Sequence, residues 1–282
     1  MTENTLSLVR SGFRTLGCIS PNAAGYLALR LFTSPKRYKR PKWELEIMES
    51  GEAFFLRSGL AAHRWGTKNK PTVLLVHGWE GRGTQLARLV EPLVKIGYRV
   101  VAIDGPAHGD SPGKRTNIRM YSEALRDASE ELSETGQVEA VVAHSFGAGA
   151  TVIALKKGMN LPKVVLVASP SDLNWVIDDY CRMIGLKGKS EDAFRKHLKD
   201  WTGFSPEDVN IASLAPKIST PALVIHDLKD FVVPFSHAER LVEGWTNARL
   251  VTLSGAGHRR ILKSPKFIDA TVDFIDQRKE LN

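Results

Sequence analysis

Cys18 and Cys181 are the only cysteines in 282 residues. Two cysteines cannot build a disulfide framework, so a reducing compartment, the cytoplasm, is expected. No run of about 18 uninterrupted apolar residues occurs, so no membrane-spanning helix is expected. A Gly-x-x-x-x-Gly-Lys phosphate loop and a strand-linked Gly-x-Gly-x-x-Gly are both missing. No His-x-x-x-His or paired-cysteine spacing points to a metal, and no cofactor is expected. Acid is scarce at one end: residues 1–42 hold eight Lys and Arg against Glu3 alone, +7 of a net +8. The nearly neutral remainder argues against a nucleic-acid partner. Arg10 and Arg14 interrupt any apolar stretch that would serve as a secretory signal.

Residues 1–52 read as a basic helical arm. Leu6, Val9, Phe13 and Leu16 recur at helical spacing, with Arg10 and Arg14 on another face. Ser20-Pro21 has the form of an N-cap followed by proline at the first helical position, opening a second helix through Phe32. Pro35 and Pro41 bracket the basic cluster Lys36-Arg37-Tyr38-Lys39-Arg40. Three readings of residues 1–42 stay open. They are an extension packed on the core with a solvated basic rim, a helix pair resting on an anionic membrane, and an organelle transit peptide. The oligomeric state is not legible.

Trp43 to Glu49 reads as a short helix, and 53–56 and 60–65 as two strands around Ser58-Gly59, a hairpin signal. From Thr72 onward, short runs at 73–76, 100–103, 138–143, 164–167, 222–225 and 249–253 read as strands, those at 73–76 and 138–143 as buried ones. They alternate with helices at 84–95, 117–132, 235–243 and 265–278. That rhythm implies an α/β fold, a mostly parallel sheet with helices on both faces.

The rhythm breaks at about 171–216, inside a body spanning 53–282. There 172–184 and 191–201 read as helices capped by Ser171 and Ser190, with Gly185 closing the first and Ser205-Pro206 opening a third. This is read as a small helical lid. Its Trp175, Tyr180, Phe194, Trp201 and Phe204 either line a substrate pocket or pack inward as core.

The strand at 138–143 runs into Ala143-His144-Ser145-Phe146-Gly147 and then a helix. A serine pinned between a buried strand and a helix start sits on a sharp turn, and the small residues two before and two after let strand and helix approach. This is the spacing of a nucleophile elbow; taken alone it is equally a tight turn whose serine caps a helix. A serine nucleophile needs a base and an orienting acid, and ligands gather at the carboxyl ends of parallel strands. Asp227 and Asp230 follow the strand at 222–225, and His258 follows the strand at 249–253. An oxyanion hole needs two backbone N–H groups. Phe146 supplies one, and Trp79, in the loop His77-Gly78-Trp79-Glu80-Gly81, is the candidate for the other. Glu80 is either a substrate contact or a loop-ordering partner of Arg82. His108 and His144 are expected to be structural.

Together, His77-Gly78-Trp79, Asp104-Gly-Pro-Ala-His-Gly-Asp-Ser111, Ala143-His-Ser-Phe-Gly147, Asp230-x-x-Val-Pro234 and Gly257-His258 resemble the α/β-hydrolase superfamily from about Phe54 onward. The resemblance implies an eight-stranded sheet, a Ser145–Asp230–His258 triad and a serine hydrolase acting on small or medium carboxylic esters. It favours Asp230 over Asp227, because Asp-x-x-Val-Pro matches the family's loop. Substrate contacts are expected from Glu80, Trp175, Tyr180, Phe194 and Trp201. A membrane-surface lipase, thioesterase or acyltransferase and a non-catalytic binding protein remain as alternatives.

Overall fold

The central strands are continuous apolar runs because both of their faces are covered. In a computed structural model that describes residues 3–203 and 210–276, β3 (Thr72–Val76) and β4 (Arg99–Ile103) are buried at every position. They belong to an eight-stranded sheet in the order β1-β2-β4-β3-β5-β6-β7-β8. The other members are β1 (Glu52–Phe55), β2 (Ala61–Trp65), β5 (Val138–His144), β6 (Lys163–Val167), β7 (Ala222–Asp227) and β8 (Ala248–Leu253). β1 pairs antiparallel with β2, and β2 antiparallel with β4; all other pairings are parallel. Strand alternation divides the core in two. Leu74, Val76, Val101, Ile103, Val141 and Ala143 face α5 (Ile118–Ser133) and α6 (Phe146–Lys156). Val73, Leu75, Val100, Ala102, Ala140 and Val142 face Leu86, Leu93, Phe267 and Phe274 on the opposite side.

Chain order reverses at β3: the crossover to β4 lies on one side of it and β5 on the other. A crevice opens at the carboxyl ends of strands where such a reversal occurs. Val76 stands beside Ala143 in register, so the loop after β3 and the turn after β5 meet at that crevice.

The helix expected at 84–95 is split. Residues Gly83–Leu89 form a 3₁₀ helix, and the α-helix α4 runs only over Val90–Lys95. Pro92 has no N–H to donate, so it is accommodated in the first turn of an α-helix, where that donor is unpaired anyway. Two cap assignments also change. Asp172, not Ser171, caps α7 (Leu173–Ile184), accepting the Asn174 N–H. Ser190 lies inside α8 (Lys189–Thr202), which starts after Gly188 at φ 54°. Gly185 closes α7 at φ 73° as expected. The helix expected after Ser205-Pro206, and Phe204 with it, lie outside the described residues. After them come α9 (Ile211–Leu214), α10 (Ser236–Gly244), α11 (Gly257–Arg260) and α12 (Pro265–Ile275).

The arm folds as α1 (Glu3–Ile19), α2 (Pro21–Phe32) and α3 (Lys42–Glu49), with Ser20 capping α2. Its apolar face meets α7 and α8: Phe13, Ala24, Ala28 and Leu29 share a buried cluster with Ile177, Ile184, Phe194 and Leu198. Gly25 lets the backbones of α2 and α8 touch, since a Cβ there would stand 2.6 Å from the Phe194 nitrogen. Of the basic residues at 36–40, Lys36, Arg37 and Lys39 are exposed and Arg40 is half-buried. Arg37 donates to the carbonyls of Ala107, Ser111 and Gly113, and Arg40 pairs with Asp104 and Asp110 at 3.0 and 2.9 Å. No helix among the described residues is long and apolar enough to cross a membrane.

Candidate active site

Ser145 sits between β5 and α6 at φ 53°, ψ −119°, a conformation that L-residues rarely adopt. Such strain costs of order 1–3 kcal/mol and persists only where the surroundings enforce it. Here the Ser145 N–H donates to the Val167 carbonyl at 2.8 Å, and small neighbours leave room on the other side. A Cβ at Gly147 would collide with the His77 carbonyl oxygen, and one at Gly78 would stand 2.9 Å from the Ser145 Cβ.

The Ser145 hydroxyl lies 2.9 Å from His258 Nε2. His258 Nδ1 in turn lies 2.7 Å from Asp230 Oδ2. The Val232 and Val233 N–H groups donate to Asp230 Oδ1 at 2.8 and 2.9 Å. Burial alone would raise the Asp230 carboxyl, but the hydrogen bond and charge of His258 and the two N–H groups outweigh it and hold it below its usual value. With Asp230 ionised, Nδ1 keeps its proton and Nε2 presents a lone pair to the serine hydroxyl.

Asp227 is turned elsewhere. It accepts the N–H groups of Lys229, Gly255 and Ala256 at 2.8, 3.2 and 2.7 Å and so ties the β7 loop to the β8 loop. His226 Nε2–H donates to the Val233 carbonyl at 2.8 Å. The His144 Nε2–H donates to the His258 carbonyl at 2.9 Å. Burial lowers the His144 pKa to about 3, helped by His258 alongside.

The loop after β3 closes over Ser145. The Trp79 ring meets Phe146 edge-on at 5.2 Å and His108 at 5.3 Å. Among the described residues, neither the Trp79 nor the Phe146 N–H donates to an acceptor. Phe146 is the first residue of α6, where unpaired N–H groups and the helix dipole favour negative charge. His108 is built into the loops: Nδ1 contacts the Pro106 carbonyl at 3.0 Å and Nε2 accepts the Glu80 N–H at 3.1 Å. The expected pairing of Glu80 with Arg82 is corrected. Its carboxylate accepts the Lys36 N–H at 3.3 Å and the Tyr38 hydroxyl at 3.1 Å. Arg82 pairs instead with buried Glu44, at 2.6 and 2.8 Å.

The aromatic residues of α7 and α8 divide. Phe194 is wholly buried and meets Phe32 edge-on at 5.5 Å. Tyr180 packs on Phe32 and donates its hydroxyl to the Ala28 carbonyl at 2.9 Å, and Trp201 lies under the Arg115 guanidinium. All three belong to or border the cluster shared with α1 and α2, in keeping with the inward-packed alternative. Trp175 meets His237 edge-on at 4.6 Å. The sequence reading missed Tyr38, Arg40 and Glu44, whose partners lie some 40 to 70 residues away in the chain. No group of three or more His, Cys, Asp or Glu among the described residues could hold a metal ion.

A sequence profile of the alpha/beta hydrolase family matches residues 73–216, just over half of the chain. The chain belongs to the alpha/beta hydrolase family. A second profile, of TAP-like protein, matches 199–277 and covers Asp230 and His258. This hydrolase-family chain is 27% identical over 230 residues to human Protein ABHD12B, covering 74% of this chain and 61% of that protein's length. It is 22% identical over 244 residues to the pimeloyl-[acyl-carrier protein] methyl ester esterase of Aromatoleum aromaticum, covering 70% of this chain and 95% of the esterase. Among solved structures, a putative lipase from Acinetobacter baumannii superposes with a TM-score of 0.65 at 17% identity, covering 84% of this chain and 97% of that one. A monoacylglycerol lipase from Paleococcus ferrophilus superposes with a TM-score of 0.60 at 23% identity, covering 77% and 98%. These likenesses establish the fold.

Proposed function

We propose that this alpha/beta hydrolase cleaves carboxylic esters through an acyl-enzyme on Ser145. The observation that carries the reading is the hydrogen-bonded series Asp230–His258–Ser145, at 2.7 and 2.9 Å, ending on a strained serine. The esterase and lipase names among its relatives point the same way.

In the first step the Ser145 oxygen forms a bond to the ester carbonyl carbon while His258 Nε2 takes the hydroxyl proton. The carbonyl π pair moves onto oxygen, and the N–H groups of Trp79 and Phe146 receive that charge. One such donor is typically worth about 2.7–4 kcal/mol in the transition state. Asp230 holds the imidazole in the tautomer that makes this transfer possible and stabilises the imidazolium that results. The returning electron pair then breaks the bond to the leaving alkoxide, which takes the proton from Nε2. Water repeats the sequence, and the acid departs with Ser145 restored. The short lid suits small or medium acyl groups.

The test is hydrolysis of p-nitrophenyl esters of increasing acyl length by the full chain. Turnover of short and medium esters is expected, with kcat reduced by at least about 10³-fold in Ser145→Ala. Unchanged hydrolysis in that variant contradicts the reading.

A further inference from the structure

Residues 1–72 lie outside both family profiles, yet a stretch of them is built against the loop that bears Trp79. After α2 the chain reaches that loop at successive points. The Lys36 N–H and the Tyr38 hydroxyl both donate to the Glu80 carboxylate. Arg40 pairs with Asp104, whose other oxygen accepts the Gly83 N–H at 2.8 Å. Glu44, in α3, holds Arg82 through two hydrogen bonds and accepts the Thr84 hydroxyl at 2.6 Å. Residues 80, 82 and 83 are therefore each fixed, directly or through Asp104, by the stretch 36–44.

Glu80 itself stands at φ 56°, a left-handed conformation that a non-glycine residue keeps only under restraint. Its N–H is bonded to His108 and its carboxylate to the arm, so the exit of the loop is held from both sides. Trp79 lies between this anchor and Gly78, which abuts Ser145. The direction of the Trp79 N–H follows from the peptide planes on its two sides. A donor contributes to an oxyanion hole only when it is aimed at the developing charge before the reaction begins.

We propose that residues 36–44 act as a strap that aims the Trp79 N–H at the oxyanion, with Tyr38 and Glu80 as its positioning residues. The inference rests on the reading of Ser145 as the nucleophile. Glu80 does not touch the reacting atoms; it acts through the loop. The charge of Glu80 beside the Tyr38 hydroxyl raises the pKa of that hydroxyl, which stays protonated and donating.

The test is steady-state hydrolysis of one p-nitrophenyl ester by the full chain and by Tyr38→Phe, Glu80→Ala and Glu80→Gln, with the melting temperature of each. Tyr38 is 54% exposed, so removing its hydroxyl leaves the core intact and that variant folds even if Glu80→Ala does not. Misplacing a catalytic group by about 1 Å costs about 100-fold. On that scale kcat is expected to fall about 30-fold in Glu80→Ala and about fivefold in Tyr38→Phe. KM should stay within about twofold, and Glu80→Gln, which can still accept a hydrogen bond, should recover part of the loss. A kcat within twofold of wild type in both Tyr38→Phe and Glu80→Ala overturns the strap. A rise in KM alone overturns it too, and makes Glu80 a substrate contact. Absence of ester hydrolysis in the unmodified chain instead removes the nucleophile reading on which the strap depends.

Discussion

Around Ser145 several side chains are fixed in the uncharged state by what they must accept. His77 Nε2 accepts the Gly105 N–H at 2.8 Å, and His108 Nε2 accepts the Glu80 N–H. Burial lowers His77 to about 4 and His108 to about 3, with His77 alongside adding to the latter. His144, also buried, is lowered to about 3. In the unfolded chain each titrates near 6.5. Their folded values lie below that, so their contribution to stability is complete above about pH 6.5 and is lost as pH falls toward 4 and 3. The urea midpoint of unfolding is expected to be flat above about pH 6.5. Below it the midpoint should fall, each histidine contributing up to about 1.4 kcal/mol per pH unit. A midpoint unchanged down to pH 4 contradicts the assignment. The structural role of His108 was legible from its Gly- and Pro-rich loop, and the small residues at 143 and 147 announced the sharp turn. Glu80 was not legible, because a reader of the sequence pairs it with Arg82 two residues on. The fold instead pairs it with Tyr38 and gives Arg82 to Glu44.

At the scale of elements, the arm and the lid share one buried cluster although some 150 residues separate them. The helices of both were legible from periodicity, with Ser20 and Gly185 marking ends correctly and Ser171 and Ser190 misplacing two starts. Their partnership was not, since an apolar stripe does not say which surface covers it. The Ala24, Gly25 and Ala28 stripe on α2 was the available signal, since small residues at helical spacing permit close backbone approach. The consequence for Phe194 is specific. Replacing it with alanine should cost about 3–5 kcal/mol of stability, the usual range for deleting a buried aromatic side chain. The preference for acyl length should not change, because the ring faces α2. Urea unfolding read beside the ester-length profile separates the outcomes. An altered length preference at unchanged stability would return Phe194 to the substrate pocket.

For the whole molecule, the sheet was the most legible feature, because strands buried on both faces are continuous apolar runs that resemble little else. Strand order is carried by long-range register and came into view only with the fold. That order brings Ser145, Asp230 and His258 together from three separate strand ends. The most direct test of their joint role is the intact mass of the chain after exposure to a fluorophosphonate probe, which phosphonylates an activated serine with loss of fluoride. One adduct, mapped to Ser145 and absent from Ser145→Ala, is the predicted result. No adduct on the native chain, or an equal adduct on Ser145→Ala, contradicts it.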